Sequence, residues 1–164
     1  MTFEAPDPDL GPIEDPHDDR GRPRLDRPLP GAGPVEAVSR LYRNYAGFSG
    51  RASRGEFWWV AFFAVAVTIV IGGVGVIVGV ATGTPSPSGD GIQPGGAMFV
   101  FLIALSVWYL GSVIPFIALW VRRLHDADYS GWLYLLHAIP YVGPLIALVF
   151  AAMPSRPNGA RFDR

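Results

Sequence analysis

The sequence contains no cysteine and no lysine. Without cysteine there are no disulfides, no thiolate nucleophiles and no Cys-based zinc or iron–sulfur sites. All thirteen basic residues are arginine, a bias that reads as genome composition rather than chemistry. Histidine is scarce: His17, His125 and His137 have no metal-ligand spacing, so no metal and no cofactor is expected. A G-x-S-x-G elbow is also missing, and His125 beside Asp126 is a weak acid–base pair, because neighbours on one turn often point apart. No enzymatic activity is expected, and no nucleic-acid partner.

Charge is missing over three long stretches. Residues 57–81 and 97–121 are uncharged runs of 25 residues each, and 132–153 is a third of 22. As helix, 25 residues extend about 37 Å against a hydrocarbon core of about 30 Å. The first run contains Gly72, Gly73, Gly75 and Gly79, costly in a soluble helix but common where membrane helices approach closely. Pro115 is expected to kink the second. In the third, "IPYVGP" interrupts the apolar pattern. One kinked helix there would span, whereas a bend at the interruption would make two arms of some 12–14 Å that dip in and return. Three spans are the simpler reading.

What charge there is lies unevenly. Residues 1–34 hold eight acids, four arginines and eight of the sixteen prolines, a net of −4, while the remaining residues carry six acids against nine arginines. With no apolar run, the first 34 residues cannot offset the entropy of ordering, and they are expected to form a disordered cytoplasmic tail. From residue 35, Val35, Val38, Leu41, Tyr42 and Tyr45 follow helical spacing, with Glu36, Arg40 and Arg43 on the other side. That pattern predicts an amphipathic helix in the headgroup region or against the end of a bundle. "SRGE" at 53–56 matches a capping box, so a helix should begin there.

The expected fold is therefore all-α: an integral membrane bundle with spans near 57–81, 97–121 and 132–153, preceded by the interfacial helix. Arg40, Arg43, Arg51 and Arg54 precede the first run, and Arg122 and Arg123 close the second. By the positive-inside rule the N-terminus is cytoplasmic and the Gly/Pro/Ser-rich loop 82–96 faces outward. "RRLHDADYSGW" at 122–132 is then an inside turn. Against a third span, Arg156, Arg161 and Arg164 would fall outside.

"GFSGRASRGEFWW", then "RRLHD" with "SGW" three residues later, then "IP" in the last apolar run and an Asn-containing tail, resemble the YhaH-like family of small bacterial inner-membrane proteins, a family of unknown function. The resemblance covers roughly residues 38–162 and implies a multi-span helical inner-membrane protein with no assigned reaction. Its hallmark positions correspond to Gly50, Arg51, Arg54, Glu56, Phe57 and Trp58, to Arg122–Asp126, to Ser130, Gly131 and Trp132, and to Pro140 and Asn158. The closing "NGARFD" departs from the compact Asn-x-Phe/Tyr-Gly of similar members.

The topology brings one polar cluster to a single membrane level: Arg51, Arg54, Glu56, Arg122, Arg123, His125 and Asp126. Charges crowded near low dielectric should pair, and Glu56 is expected to pair with Arg122 or Arg123. The expected role is structural or interactive. An alternative is a pocket of four arginines for an anionic lipid or phosphate ligand, since guanidinium matches phosphate oxygens bidentately. A small-solute transporter or channel component is a further alternative, thinly supported by the few polar residues within the runs. Expected partners are the bilayer, its anionic lipids, and a second copy or another membrane protein.

Overall fold

The computed structural model describes residues 18, 21 and 23–163. Among the described residues the regular elements are helical apart from one short hairpin: α1 (Pro34–Arg43), α2 (Arg54–Ala81), β1 (Thr84–Pro85), β2 (Ile92–Gln93), α3 (Met98–Asp126), a 3₁₀ segment (Gly131–Ala138), α4 (Val142–Ala152) and a closing 3₁₀ turn (Pro157–Phe162). α2 and α3 form an antiparallel pair of 28 and 29 residues, each long and apolar enough to cross a membrane. Between them Thr84 pairs with Gln93 and Pro85 with Ile92 in an exposed antiparallel ribbon. The opposite end of the pair carries the charged residues and is called the basic end below.

α2 begins where the capping box places it. Ser53 Oγ accepts from Glu56 N at 3.2 Å, and Ser53 N donates to Glu56 Oε2 at 2.8 Å. Along the pair, most side chains face outward and are apolar, as Phe62, Ile69, Ile77, Phe99, Ile103 and Leu110 are. Away from the basic end the two helices touch through small residues. A Cβ at Gly75 would lie 2.6 Å from Phe101 Cβ, whereas one at Gly73 would meet nothing.

Pro115 sits inside α3 and has no N–H for the carbonyl of Gly111 one turn earlier. Tyr45, from the loop after α1, donates its hydroxyl to that carbonyl at 2.6 Å. A group orphaned by the proline thus anchors the N-terminal region to the second long helix. α1 also buries Ala37 and Leu41 in the small core at the basic end, with Ala52, Phe57, Val60, Leu119 and Ala151. Phe57 packs edge-on against Trp120 with ring centroids 4.5 Å apart. Arg40, expected on the outer polar side of α1, is instead 1% exposed.

The third apolar segment folds back on itself instead of running as one kinked helix, which departs from the expected single span at 132–153. The 3₁₀ arm ends near Pro140, the chain turns at Tyr141 with φ of 63°, and α4 runs back. Both ends of the segment sit at the basic end: Arg123 Nε donates to Ala151 O at 3.2 Å, and Arg156 N donates to Asp126 O at 2.8 Å. Eight residues of 3₁₀ helix and eleven of α-helix each measure about 16 Å, roughly half the hydrocarbon core. The proline and the left-handed turn residue therefore close a hairpin of two short arms.

Gly75→Ala should destabilise the detergent-solubilised protein by about 1–3 kcal/mol, because the added methyl meets the root of the Phe101 side chain. Gly73→Ala should be neutral or mildly stabilising. Equal effects in denaturant titrations of the two variants would contradict the close approach.

Candidate functional site

The polar residues singled out from sequence all lie near the basic end, but they form separate groups. In the first, Glu56 accepts from Arg40 Nε at 2.5 Å through Oε1, and from Ser53 N at 2.8 Å and Leu29 N at 3.0 Å through Oε2. Its partner is Arg40, not Arg122 or Arg123, which corrects the expected pairing. Arg40 is also held by backbone: Nη2 donates to Arg27 O at 2.6 Å and to Arg24 O at 3.1 Å. Both side chains of this ion pair are 2–3% exposed.

The carbonyls around Arg40 come from residues 23–27, within the stretch expected to be disordered. Residues 1–17 lie outside the described residues. Residues 23–33, however, run as a strap across the basic end, and the expectation is corrected there. Leu29 is clipped twice, its N–H by Glu56 and its carbonyl by the Ser53 hydroxyl at 2.9 Å. Asp26 O accepts from Arg51 N at 2.8 Å, and Asn44 Nδ2 donates to Leu25 O at 3.3 Å. Composition gave no hint of this order, because the strap is held by its backbone rather than by apolar side chains.

The second group joins α3 to this hairpin. Asp126 Oδ2 accepts from Arg123 Nη1 and from Ser155 Oγ, each at 2.5 Å. The Arg123 guanidinium also donates to the carbonyls of Ala151 and Met153, the last turn of α4. Those carbonyls have no helical partner, so a cation there satisfies them and the helix dipole together. Arg123 and Asp126 are fully buried.

The third group ties in the C-terminal turn. Arg51 forms a forked pair with Asp163, with Nε to Oδ1 at 2.8 Å and Nη2 to Oδ2 at 2.5 Å. Hydrogen bonding to Asp163 raises the Arg51 pKa above its ordinary value. His125 Nδ1 lies 3.1 Å from Gly50 O, and its ring stacks on Phe162 with centroids 4.0 Å apart. Gly50 has φ of 82°, and a Cβ there would fall 2.3 Å from Asp26 O. Its amide donates to Phe162 O at 2.8 Å. This one residue thus touches both the strap and the tail, in a conformation that favours glycine.

Arg54 is exposed and stands apart from these pairs. Arg122 is 1% exposed. Its Nε donates weakly to Ala118 O at 3.4 Å, and its Nη2 has no partner among the described residues. The residues that sequence reasoning missed are Arg40, Ser155, Asp163, Tyr45 and the strap carbonyls. For Arg40 the signal was present but inverted, since helical spacing put it on the outward face.

Chemically, the basic end is a set of charge pairs closed within the chain, with Arg54 and Arg122 outside them, at one end of the two long helices. His125 and Asp126 turn to different partners and form no acid–base couple, and no group of three or more His, Cys, Asp or Glu could hold a metal among the described residues.

The chain belongs to the family described as "Protein of unknown function (DUF805)", whose model matches residues 45–164. It is 33% identical to "Inner membrane protein YhaH" of Escherichia coli strain K12 over 123 residues, covering 75% of this chain and 89% of that protein. It is 36% identical to "Inner membrane protein YhaI" of the same strain over 111 residues, covering 67% and 77%. No solved structure matches. With its two membrane-length helices and this kinship, the chain is a helical inner-membrane protein of the family.

Removing one partner of a buried ion pair leaves the other uncompensated. Arg40→Met should therefore cost about 3–5 kcal/mol, and Arg122→Met less than about 1 kcal/mol. In double-mutant cycles with Glu56→Gln, coupling to Arg40 should exceed about 1 kcal/mol and exceed coupling to Arg122. The reverse order would show that Glu56 serves Arg122.

Proposed function

We propose that this protein is a non-catalytic structural or interaction component of the inner membrane, with its basic end in the cytoplasm. The observation that supports this reading is the occupancy of three guanidiniums at the basic end, while the buried Arg122 keeps only a weak bond to Ala118 O. Arg40, Arg51 and Arg123 are taken up by Glu56, Asp163, Asp126 and backbone carbonyls of the same chain. Charges so engaged fasten the strap, α1, both long helices, the hairpin and the tail into one unit. They are not presented to a substrate.

A second reading concerns anionic lipid. Arg54, Arg156 and Arg161 are exposed around the basic end, where each cation near an anionic leaflet contributes about 1 kcal/mol. Next to them a cavity of about 550 Å³ is lined by Phe48, Ser49, His125, Arg161 and Phe162. This version assigns lipid contact to exposed arginines rather than to Arg51, Arg122 and Arg123. It is compatible with the structural role.

The cytoplasmic placement rests on the arginine bias, which the re-entrant hairpin now makes consistent: Arg54, Arg122, Arg123, Arg156 and Arg161 all gather at one end. The chain has no native cysteine, so single cysteines at Ser88, Ser130 and Ser155 can be probed in intact cells with an impermeant thiol reagent. Position 88 should label, and positions 130 and 155 should be protected until the cells are opened. Labelling at 130 but not 88 would invert the orientation. Labelling at 155 but not 130 would restore a third span.

A further inference from the structure

Two cavities meet at His125 and Phe48, at the basic end. One, of about 480 Å³, lies between α3 and the 3₁₀ arm and has an apolar wall of Ile117, Val121, Trp132 and Leu135. Trp132 and Leu135 are exposed, so this cavity is open at its side. The other, of about 550 Å³, adds Ser49, Arg161 and Phe162 to the two shared residues. No Asp or Glu lines either one. The joined space therefore passes from apolar to cationic. It does so where α3 itself passes from apolar to charged residues, the level at which lipid chains meet their heads.

His125 presents an open acceptor at the junction. Its Nδ1 lies 3.1 Å from Gly50 O. A carbonyl can only accept, so in the neutral ring Nδ1 carries the proton and Nε2 is left to accept. Nε2 has no partner among the described residues and, unlike the shielded Nε2 of His137, it is reachable. It faces Gly131 on the wall of the first cavity, where an added Cβ would stand 3.2 Å from it. The ring of Phe162, stacked at 4.0 Å, and the contact with Gly50 hold the imidazole at this angle. Arg161 supplies the charge. Only its Nη2 is engaged, 3.0 Å from Asp128 Oδ1, and its side chain is 61% exposed, which leaves Nε and Nη1 for an anion.

The order along the site is apolar wall, acceptor, cation. The same order of chain, hydroxyl and phosphate occurs in a glycerophospholipid with one acyl chain. We propose that the basic end binds such a lipid, of the lysophosphatidate type, with the chain along Ile117 and Leu135, the free glycerol hydroxyl donating to His125 Nε2 and the phosphate against Arg161. This rests on the anionic-lipid reading above and names the lipid. Once a chain displaces water from the apolar wall, Nε2 depends on the ligand for a donor, and a diacyl lipid has that hydroxyl esterified. The free N–H groups of the guanidinium match phosphate oxygens.

The test uses the full-length protein in detergent at about pH 8, where an ordinary histidine is neutral. It is offered equimolar 1-oleoyl lysophosphatidate, its 2-O-methyl ether and 1-monooleoylglycerol, with uptake read by native mass spectrometry. Lysophosphatidate should bind about tenfold better than the ether, the scale of one hydrogen bond in a low-dielectric site. Glycerol 3-phosphate, offered alone, should not be retained; retention equal to that of lysophosphatidate would assign the site to free phosphate and overturn the proposal. His125→Phe keeps a ring against Phe162 and removes the acceptor, so the preference over the ether should vanish. Arg161→Gln, at an exposed side chain, should lower uptake of both phosphates about tenfold and leave monooleoylglycerol unchanged, which keeps the proposal testable should the His125 variant fail to fold. Equal uptake of lysophosphatidate and its ether, with the dependence on Arg161 intact, would overturn this assignment alone. Uptake of monooleoylglycerol equal to that of the phosphates in the unaltered chain would overturn the anionic-lipid reading with it.

Discussion

The two oxygens of Glu56 take three donors: Arg40 Nε, Ser53 N and Leu29 N. A carboxylate buried to this degree is tolerable only when its charge is matched and its lone pairs are occupied. Each donor comes from a different part of the chain. Arg40 brings α1, Ser53 starts α2, and Leu29 brings the strap. The same requirement acts on Arg40, which after pairing with Glu56 still has N–H groups to place and finds them in the carbonyls of Arg24 and Arg27. Burying one ion pair in this way specifies how the strap and the first helix must run.

A parallel constraint operates at the other side of the basic end. Arg123 cannot be left unpaired between α3 and α4, and Asp126 alone does not saturate it. The carbonyls ending α4 complete the set, so the hairpin must return to the level from which it departed. The closing turn follows, because Arg156 N reaches Asp126 O and Arg51 pairs with Asp163. Beyond the basic end little of this apparatus continues. α2 and α3 proceed as an apolar pair whose contacts depend on small residues such as Gly75, as expected where lipid and side chain are equally apolar.

The two crossing helices and the start of α2 were legible from sequence, since an uncharged run and a capping box are local signals. The convergence of the polar residues on one level was also readable, from topology and the arginine bias. Their pairing was not. Arg40 meets Glu56 across 16 residues and Arg27 across 13, and helical spacing alone assigned it to the solvent face. The strap was hidden for a related reason: composition reports whether side chains can form a core, while this segment is held through its main chain. Both courses of the third segment were open until the partners of Arg123 and Arg156 placed its two ends together.

Glu56 and Arg40 hold the strap in place, and hydrogen–deuterium exchange of the amides of residues 23–33 measures that hold. In the unaltered protein the Leu29 amide should be protected, and in Glu56→Gln the protection across the segment should fall while that of α2 beyond its first turn is retained. Exchange of residues 23–33 at the rate of an unstructured chain in the unaltered protein would contradict the account, as would protection that survives the substitution.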